Sequence, residues 1–220
     1  PVIASNCPKA IQLFRFGLMP SWSKKSMLLF NARAEGDRNA NNDPKYRGSR
    51  DIINKPAFRK PIRSQRCLIP ADCFIEGTTE KKLDEPFLVY LRNKIRPFAF
   101  AGIWDCWQDP ETRNELYSFA IITTTANKVL QSLPHHRCPV ILYPGQEKDW
   151  LSEKTPLSEI TNMLEPFDSE LMNAYRISSQ IKSVGNNNKE LIMPLSPPLF
   201  QENEIRLADL IKKYGFGRKN

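Results

Sequence analysis

Glu76 is the residue that its neighbours best equip for acid–base work. It closes the stretch Arg66-Cys67-Leu68-Ile69-Pro70-Ala71-Asp72-Cys73-Phe74-Ile75-Glu76 and precedes Gly77. The pattern predicts a strand over Arg66–Ile69, ended by Pro70, which cannot donate to a ladder, and a second short strand over Phe74–Glu76. A carboxylate at the end of a half-buried strand is partly desolvated. Its pKa rises towards neutrality, which suits a general acid/base. The plainer alternative is a strand-end glutamate turned to solvent.

The chain has two histidines, adjacent at His135 and His136, between Pro134 and Arg137-Cys138-Pro139. The prolines restrict the backbone there. On an extended segment the two rings point opposite ways, so one at most faces a given pocket. No third ligand stands at useful spacing, which argues against a metal site; no metal or other cofactor is expected. A histidine titrates near neutrality, so one of the pair is a candidate acid/base, with a structural role as the alternative. Asn31 and Arg33, at i and i+2, share one face of an extended segment. The amide could orient a nucleophile or carbonyl, and the guanidinium could clamp a phosphate; local loop bonding is the alternative. Trp22 stands just before Lys24 and Lys25. Such a mixture lets a base stack while phosphates are neutralised, although a core tryptophan is the commoner outcome. Dinucleotide, phosphate-loop, nucleophile-elbow and zincin motifs are absent.

At 220 residues with 40% hydrophobic content, the chain reads as one globular domain, 1–220. No window approaches the ~18 apolar residues of a membrane span, and no signal peptide is visible. The five cysteines, Cys7, Cys67, Cys73, Cys106 and Cys138, are odd in number and show no CxxC pair. That favours a reducing, cytoplasmic setting. The formal charge of +8 points to an acidic polymer such as nucleic acid, with a solvated basic surface as the alternative.

These side chains need a frame. Strands are predicted at Ile11–Phe16, Phe87–Arg92, Phe98–Trp104, Tyr117–Thr124 and Val140–Tyr143, and weakly at Met172–Ile177. The regular spacing of the middle three argues for an antiparallel meander. Helices are predicted at Ala57–Ser64 (basic, with Arg59 and Lys60), Thr125–Leu133 with Thr125 as N-cap, Pro144–Glu153, Leu157–Leu164 and Glu204–Tyr214. Gly36–Pro56 reads as a long exposed loop with a short helix at Arg50–Asn54, and Thr78–Pro86 as a charged hairpin loop. Strands and helices are mixed rather than alternating, so the class is α+β.

Seven segments occur together in order: Phe16–Trp22, Asn31–Glu35, Ala57–Arg59, Arg66–Asp72 with Glu76, Phe100–Trp104, Ile122–Asn127 and His135–Leu142. In this order they resemble the SOS-response-associated peptidase (SRAP) family, the abasic-site processing proteins, from about residue 1 to Asn188. The resemblance implies an α+β fold with central, barrel-like antiparallel sheets and peripheral helices, and a basic cleft for single-stranded DNA; beyond it, residues 189–220 read as a C-terminal extension with a helix. It implies a nucleophilic cysteine just after the initiator methionine. The amine of that cysteine condenses with the ring-opened abasic sugar, and its thiolate closes a thiazolidine crosslink, with associated lyase and self-processing peptidase chemistry. Asn31 would orient the cysteine, Glu76 would shuttle protons and His135 would act on the sugar. Arg33 would hold phosphates, Trp22 would lie near the strand, and Arg59 and Lys60 would add charge. A monomer in the cytoplasm, associated with the nucleoid and bound to no membrane, is expected. The sequence starts inside the family pattern, so the cysteine is expected ahead of Pro1, and the chain as given is expected to lack crosslinking. Two positions depart from the pattern: Gly77 replaces the usual aromatic, and Cys73 the usual glycine. A basic single-strand-binding module without catalysis is the competing expectation; a thiol peptidase acting on other proteins is a weaker one.

Overall fold

The structure, a computed structural model, describes residues 1–202 apart from Ser26 and Lys94. The helix expected at Glu204–Tyr214 lies outside the described residues. The chain divides into two compact units. The first comprises Pro1–Pro70, Phe98–Thr125 and Pro139–Pro166, and the second Ala71–Pro97, Ala126–Cys138 and the chain from Phe167.

In chain order the first unit opens with the short strands β1 (Ile3–Ala4), β2 (Arg15–Phe16) and β3 (Asn31–Arg33), the one-turn helix α1 (Pro61–Ser64) and β4 (Arg66–Ala71). The second unit takes up β5 (Cys73–Thr78) and β6 (Lys82–Leu91). The long strands β7 (Phe98–Gln108) and β8 (Glu115–Thr125) return to the first. There follow α2 (Lys128–Ser132), β9 (Arg137–Pro139), α3 (Glu147–Leu151), α4 (Leu157–Asn162) and β10 (Met172–Arg176). The class is α+β, as expected.

The first unit's sheet runs β1-β4-β7-β8-β2, with β3 also on β8. Its centre is legible in the composition of β7, Phe-Ala-Phe-Ala-Gly-Ile-Trp-Asp, buried at every position. Side chains alternate across a strand. Ala99, Ala101 and Ile103 therefore join Ala120 and Ile122 in one core, which Trp150 and Leu164 complete. Trp104 and Phe119 pack on the opposite face with Val2 and Cys67. β2 and β3 lie end to end along β8 and are parallel to it.

Arg66 ties the short helices to this sheet. Its buried guanidinium donates to the carbonyls of Ile62 and Arg63 at the end of α1, and of Trp150 (2.5 Å) and Ser152 (2.6 Å) at the end of α3. Helix C-termini leave carbonyls without intrahelical donors and carry partial negative charge, so one cation satisfies two ends.

The second unit is a three-stranded antiparallel sheet, β10-β6-β5. Several expectations are corrected here. The three central strands do not form one meander: β6 pairs with β5 and β10, whereas β7 pairs with β8. β4 runs through Pro70; its pairing with β1 stops at Leu68, so the missing N–H breaks no rung on that edge. Much of the charged loop is strand, because β6 starts at Lys82. Thr125 ends β8, and the N-cap of α2 is Asn127, whose side chain accepts from Leu130 N. Helix α1 is shorter than its basic stretch, and β9 replaces the strand expected at Val140–Tyr143, of which Ile141 keeps a single bridge to Phe100.

Candidate active site

Glu76 lies inside β5, opposite Phe87 of β6, rather than at a strand end. The register shifts between Gly77 and Thr78. Gly77 is required by close approach: a Cβ there would stand 2.2 Å from the carbonyl oxygen of Lys82. The bulge sharpens the hairpin and brings its tip onto the histidine segment. Thr79 donates through both N (3.0 Å) and Oγ1 (2.5 Å) to the carbonyl of Pro134. His135 N donates to Leu130 O at 3.0 Å, the C-terminal end of the capped helix α2.

These anchors place His135 Nε2 3.4 Å from Glu76 Oε1, both side chains mostly buried. His135 Nδ1 is 3.0 Å from the carbonyl of Arg137. A carbonyl can only accept, so Nδ1 is the protonated nitrogen, which leaves Nε2 facing the carboxyl. Burial raises the pKa of Glu76; the nearby His135 and the N–H of Gly77, 3.2 Å away, pull in the other direction. A carboxyl and an imidazole nitrogen this close can pass a proton between them or to a bound group.

His136 does not point away as an extended segment requires. Neither histidine lies in a strand, and the two rings stack with centroids 5.3 Å apart. His136 Nδ1 is 3.3 Å from Thr79 Oγ1. That hydroxyl gives its proton to Pro134, so the ring nitrogen is the donor.

Asn31, Arg33, Trp22, Arg59 and Lys60 belong to the first unit. Asn31 is exposed at the start of β3, with Ala32 buried and Arg33 half-buried behind it. Arg33 Nη2 donates to the carbonyl of Asn39 (2.5 Å) and to Asn42 Oδ1 (2.9 Å). Asn39 in turn bonds Asp43 through both its amide groups. The polar segment after Gly36 is therefore tied to the end of β3, and Arg33 organises it. Trp22 is 58% exposed, so it is not a core residue, and its indole donates to Pro56 O at 3.3 Å. That bond sets it beside the segment leading to the exposed Arg59 and Lys60.

The thiols of the second unit are not activated: burial raises Cys73 and pushes Cys138 up to about 12. Among the described residues no three His, Cys, Asp or Glu gather as metal ligands. No described helix is long and apolar enough to cross a membrane. Sequence reasoning missed Thr79, the clamp on the histidine segment, and Asp105, buried in β7. A lone acid between two tryptophans in an apolar run was a signal for Asp105.

Residues 1–184 match the family model described as SOS response associated peptidase (SRAP). The chain is 40% identical over 185 residues to abasic site processing protein YoqW of Bacillus subtilis, a match spanning 81% of this chain and 74% of that one. It is 30% identical over 227 residues to abasic site processing protein HMCES of Pongo abelii, spanning 87% and 59%. A crystal structure of a Bacteroides thetaiotaomicron protein superposes with a TM-score of 0.70 at 32% identity, over 83% of this chain and 76% of that one.

Proposed function

This chain belongs to the SOS response associated peptidase (SRAP) family, and on that premise we propose that it processes abasic sites in single-stranded DNA, using Glu76 and His135 as its acid–base pair. The observation that carries this reading is the 3.4 Å approach of His135 Nε2 to Glu76 Oε1. A ring-closed abasic sugar must open to an aldehyde before an amine can attack it. Opening moves a proton from the anomeric hydroxyl to the ring oxygen, and a pair that both accepts and donates does this without bulk water. Condensation of the aldehyde with the α-amine of an amino-terminal cysteine gives a carbinolamine. Its hydroxyl leaves as water once protonated, and addition of the thiol to the imine carbon closes the thiazolidine. Asn31 orients the cysteine in this scheme, Arg33 meets phosphate, and Trp22, Arg59 and Lys60 follow the strand.

None of the five cysteines in the sequence is at its first position. Cys7 cannot supply the amine, because its nitrogen is a peptide N–H donating to Ala4 O. The test therefore uses protein from the complete reading frame, incubated with an oligonucleotide bearing one abasic site and resolved by denaturing electrophoresis. The reading requires a covalent adduct on the abasic strand and none on the intact one. Equal, purely salt-sensitive binding to both strands, with no adduct, would make the chain a non-catalytic binding module instead.

A further inference from the structure

Trp22 is exposed, yet its loop is held at three points. The amide of Met19 donates to Ser118 Oγ at 2.8 Å. The amide of Ser21 donates to Asp105 Oδ2 at 2.7 Å. The carbonyl of Ser23 accepts from the indole of Trp107 at 2.7 Å. The anchored residues are alternate ones, so the side chain between the last two, Trp22, is left to solvent. The three anchors also share one face of the sheet. Asp105 and Ser118 are direct cross-strand partners in β7 and β8, and Trp107 stands two residues beyond Asp105.

Asp105 is the centre of this rail. Its carboxyl is buried, and its other oxygen accepts from Cys106 N at 2.9 Å and Gln65 Nε2 at 3.3 Å. Three N–H groups therefore converge on the two oxygens of one side chain. A buried side chain held by Gln65 and Cys106, and bonded on its third side to the amide of an exposed loop, is a fixed point for that loop.

We propose that Asp105, Ser118 and Trp107 form a rail that sets Trp22, with Lys24 and Lys25, in the attitude that receives a single-stranded nucleic acid, and that Asp105 is its positioning residue. This rests on the reading of Trp22 as a strand-binding residue given above. Pre-setting an aromatic platform removes ordering cost from binding, so the rail acts on affinity and leaves the rate at saturating DNA alone.

The experiment compares Asp105→Asn, Ser118→Ala and Trp107→Phe with Trp22→Ala in protein from the complete reading frame. Asp105→Asn turns one acceptor into an NH2 facing an N–H. Trp107→Phe keeps an aromatic, though smaller, side chain and loses the indole donor. Anisotropy with a fluorescein-labelled strand carrying a tetrahydrofuran abasic analogue reads affinity. Acrylamide quenching in DNA-free protein, taken as the difference from the same variant with Trp22→Phe, reads the exposure of Trp22. The expected result is a loss of about threefold to tenfold in affinity per variant, the size of one hydrogen bond, with altered quenching and an unchanged single-turnover rate on a saturating abasic strand. Should Asp105→Asn fail to fold, the other two carry the test. Wild-type quenching and affinity in Ser118→Ala and Trp107→Phe, alongside weakened binding in Trp22→Ala, would overturn the rail. Undiminished binding in Trp22→Ala would overturn it differently, by taking Trp22 off the strand's path, while the Glu76–His135 reading stands or falls on the abasic-strand rate.

Discussion

Gly77→Ala is the substitution whose cost follows most directly from the geometry. The new Cβ would stand 2.2 Å from the carbonyl oxygen of Lys82, 2.3 Å from its carbon and 2.9 Å from Leu83 N. These are backbone atoms at the bulge, so no side chain can swing away. Overpacking costs roughly 1–3 kcal/mol, and immobile neighbours put this site at about 3. Against it stands a gain of about 0.4–1 kcal/mol from a stiffer unfolded chain. The steric term wins, leaving a net loss of about 2 kcal/mol. For a chain of this size that lowers Tm by about 4–8 °C. The assay is a thermal melt followed by circular dichroism, with Gly185→Ala as control, since no atom lies within 4 Å of that site. The hairpin can relieve the clash only by opening at the bulge, which moves Glu76 off His135. A displacement of about 1 Å can cost on the order of 10²-fold in rate, so abasic-strand processing should fall with stability. A Gly77→Ala protein that melts within about 1 °C of wild type and processes at the wild-type rate would refute the close-approach argument.

Other consequences concern pH, salt and the buried cation. The carboxyl of Glu76 is raised from its ordinary value of 4.5, so the native state binds its proton more tightly than the unfolded chain. That contribution is fully present below the unfolded pKa and is lost as pH rises through the folded one. Glu76→Gln should therefore lose less stability than wild type as pH rises above the ordinary carboxylate value of 4.5; urea midpoints that stay parallel as pH rises would count against it. Arg66→Met strips four carbonyls of their donor, and at about 1.5–3 kcal/mol per charged bond the loss should exceed about 3 kcal/mol in urea titration; a change under about 1 would show that other donors cover the helix ends. Arg59→Ala and Lys60→Ala should each flatten the salt dependence of strand binding, by about 0.7 in log–log slope for every phosphate that is no longer neutralised, and unchanged slopes would remove them from the interface.

The fold class and most strands were legible because hydrophobic alternation and turn residues are local signals. What decided the rest was pairing. Thr125 and Asn127 are both good caps, and Thr125 lost the role because β8 extends through it. The regular spacing of three strands looked like a meander, but spacing carries no information on which sheet a strand joins, and β6 joined another. Glu76 and the histidines were recognisable as chemistry-bearing residues. Only the family resemblance set them at one sugar; spacing could not, since 59 positions separate Glu76 from His135, and the link between them runs through Thr79 and the carbonyl of Pro134. Arg33 was read as a phosphate clamp or a loop organiser; the structure shows it bonded to the loop, and its role towards phosphate belongs to the proposal.

The central claim is that Glu76 and His135 move the proton in abasic-site chemistry. Its most direct test is the single-turnover rate of adduct formation on a saturating abasic strand by protein from the complete reading frame, wild type against Glu76→Gln and His135→Gln. The expected result is a drop of about 10²-fold or more for each, with affinity for the intact strand unchanged. Wild-type rates in both variants would contradict it.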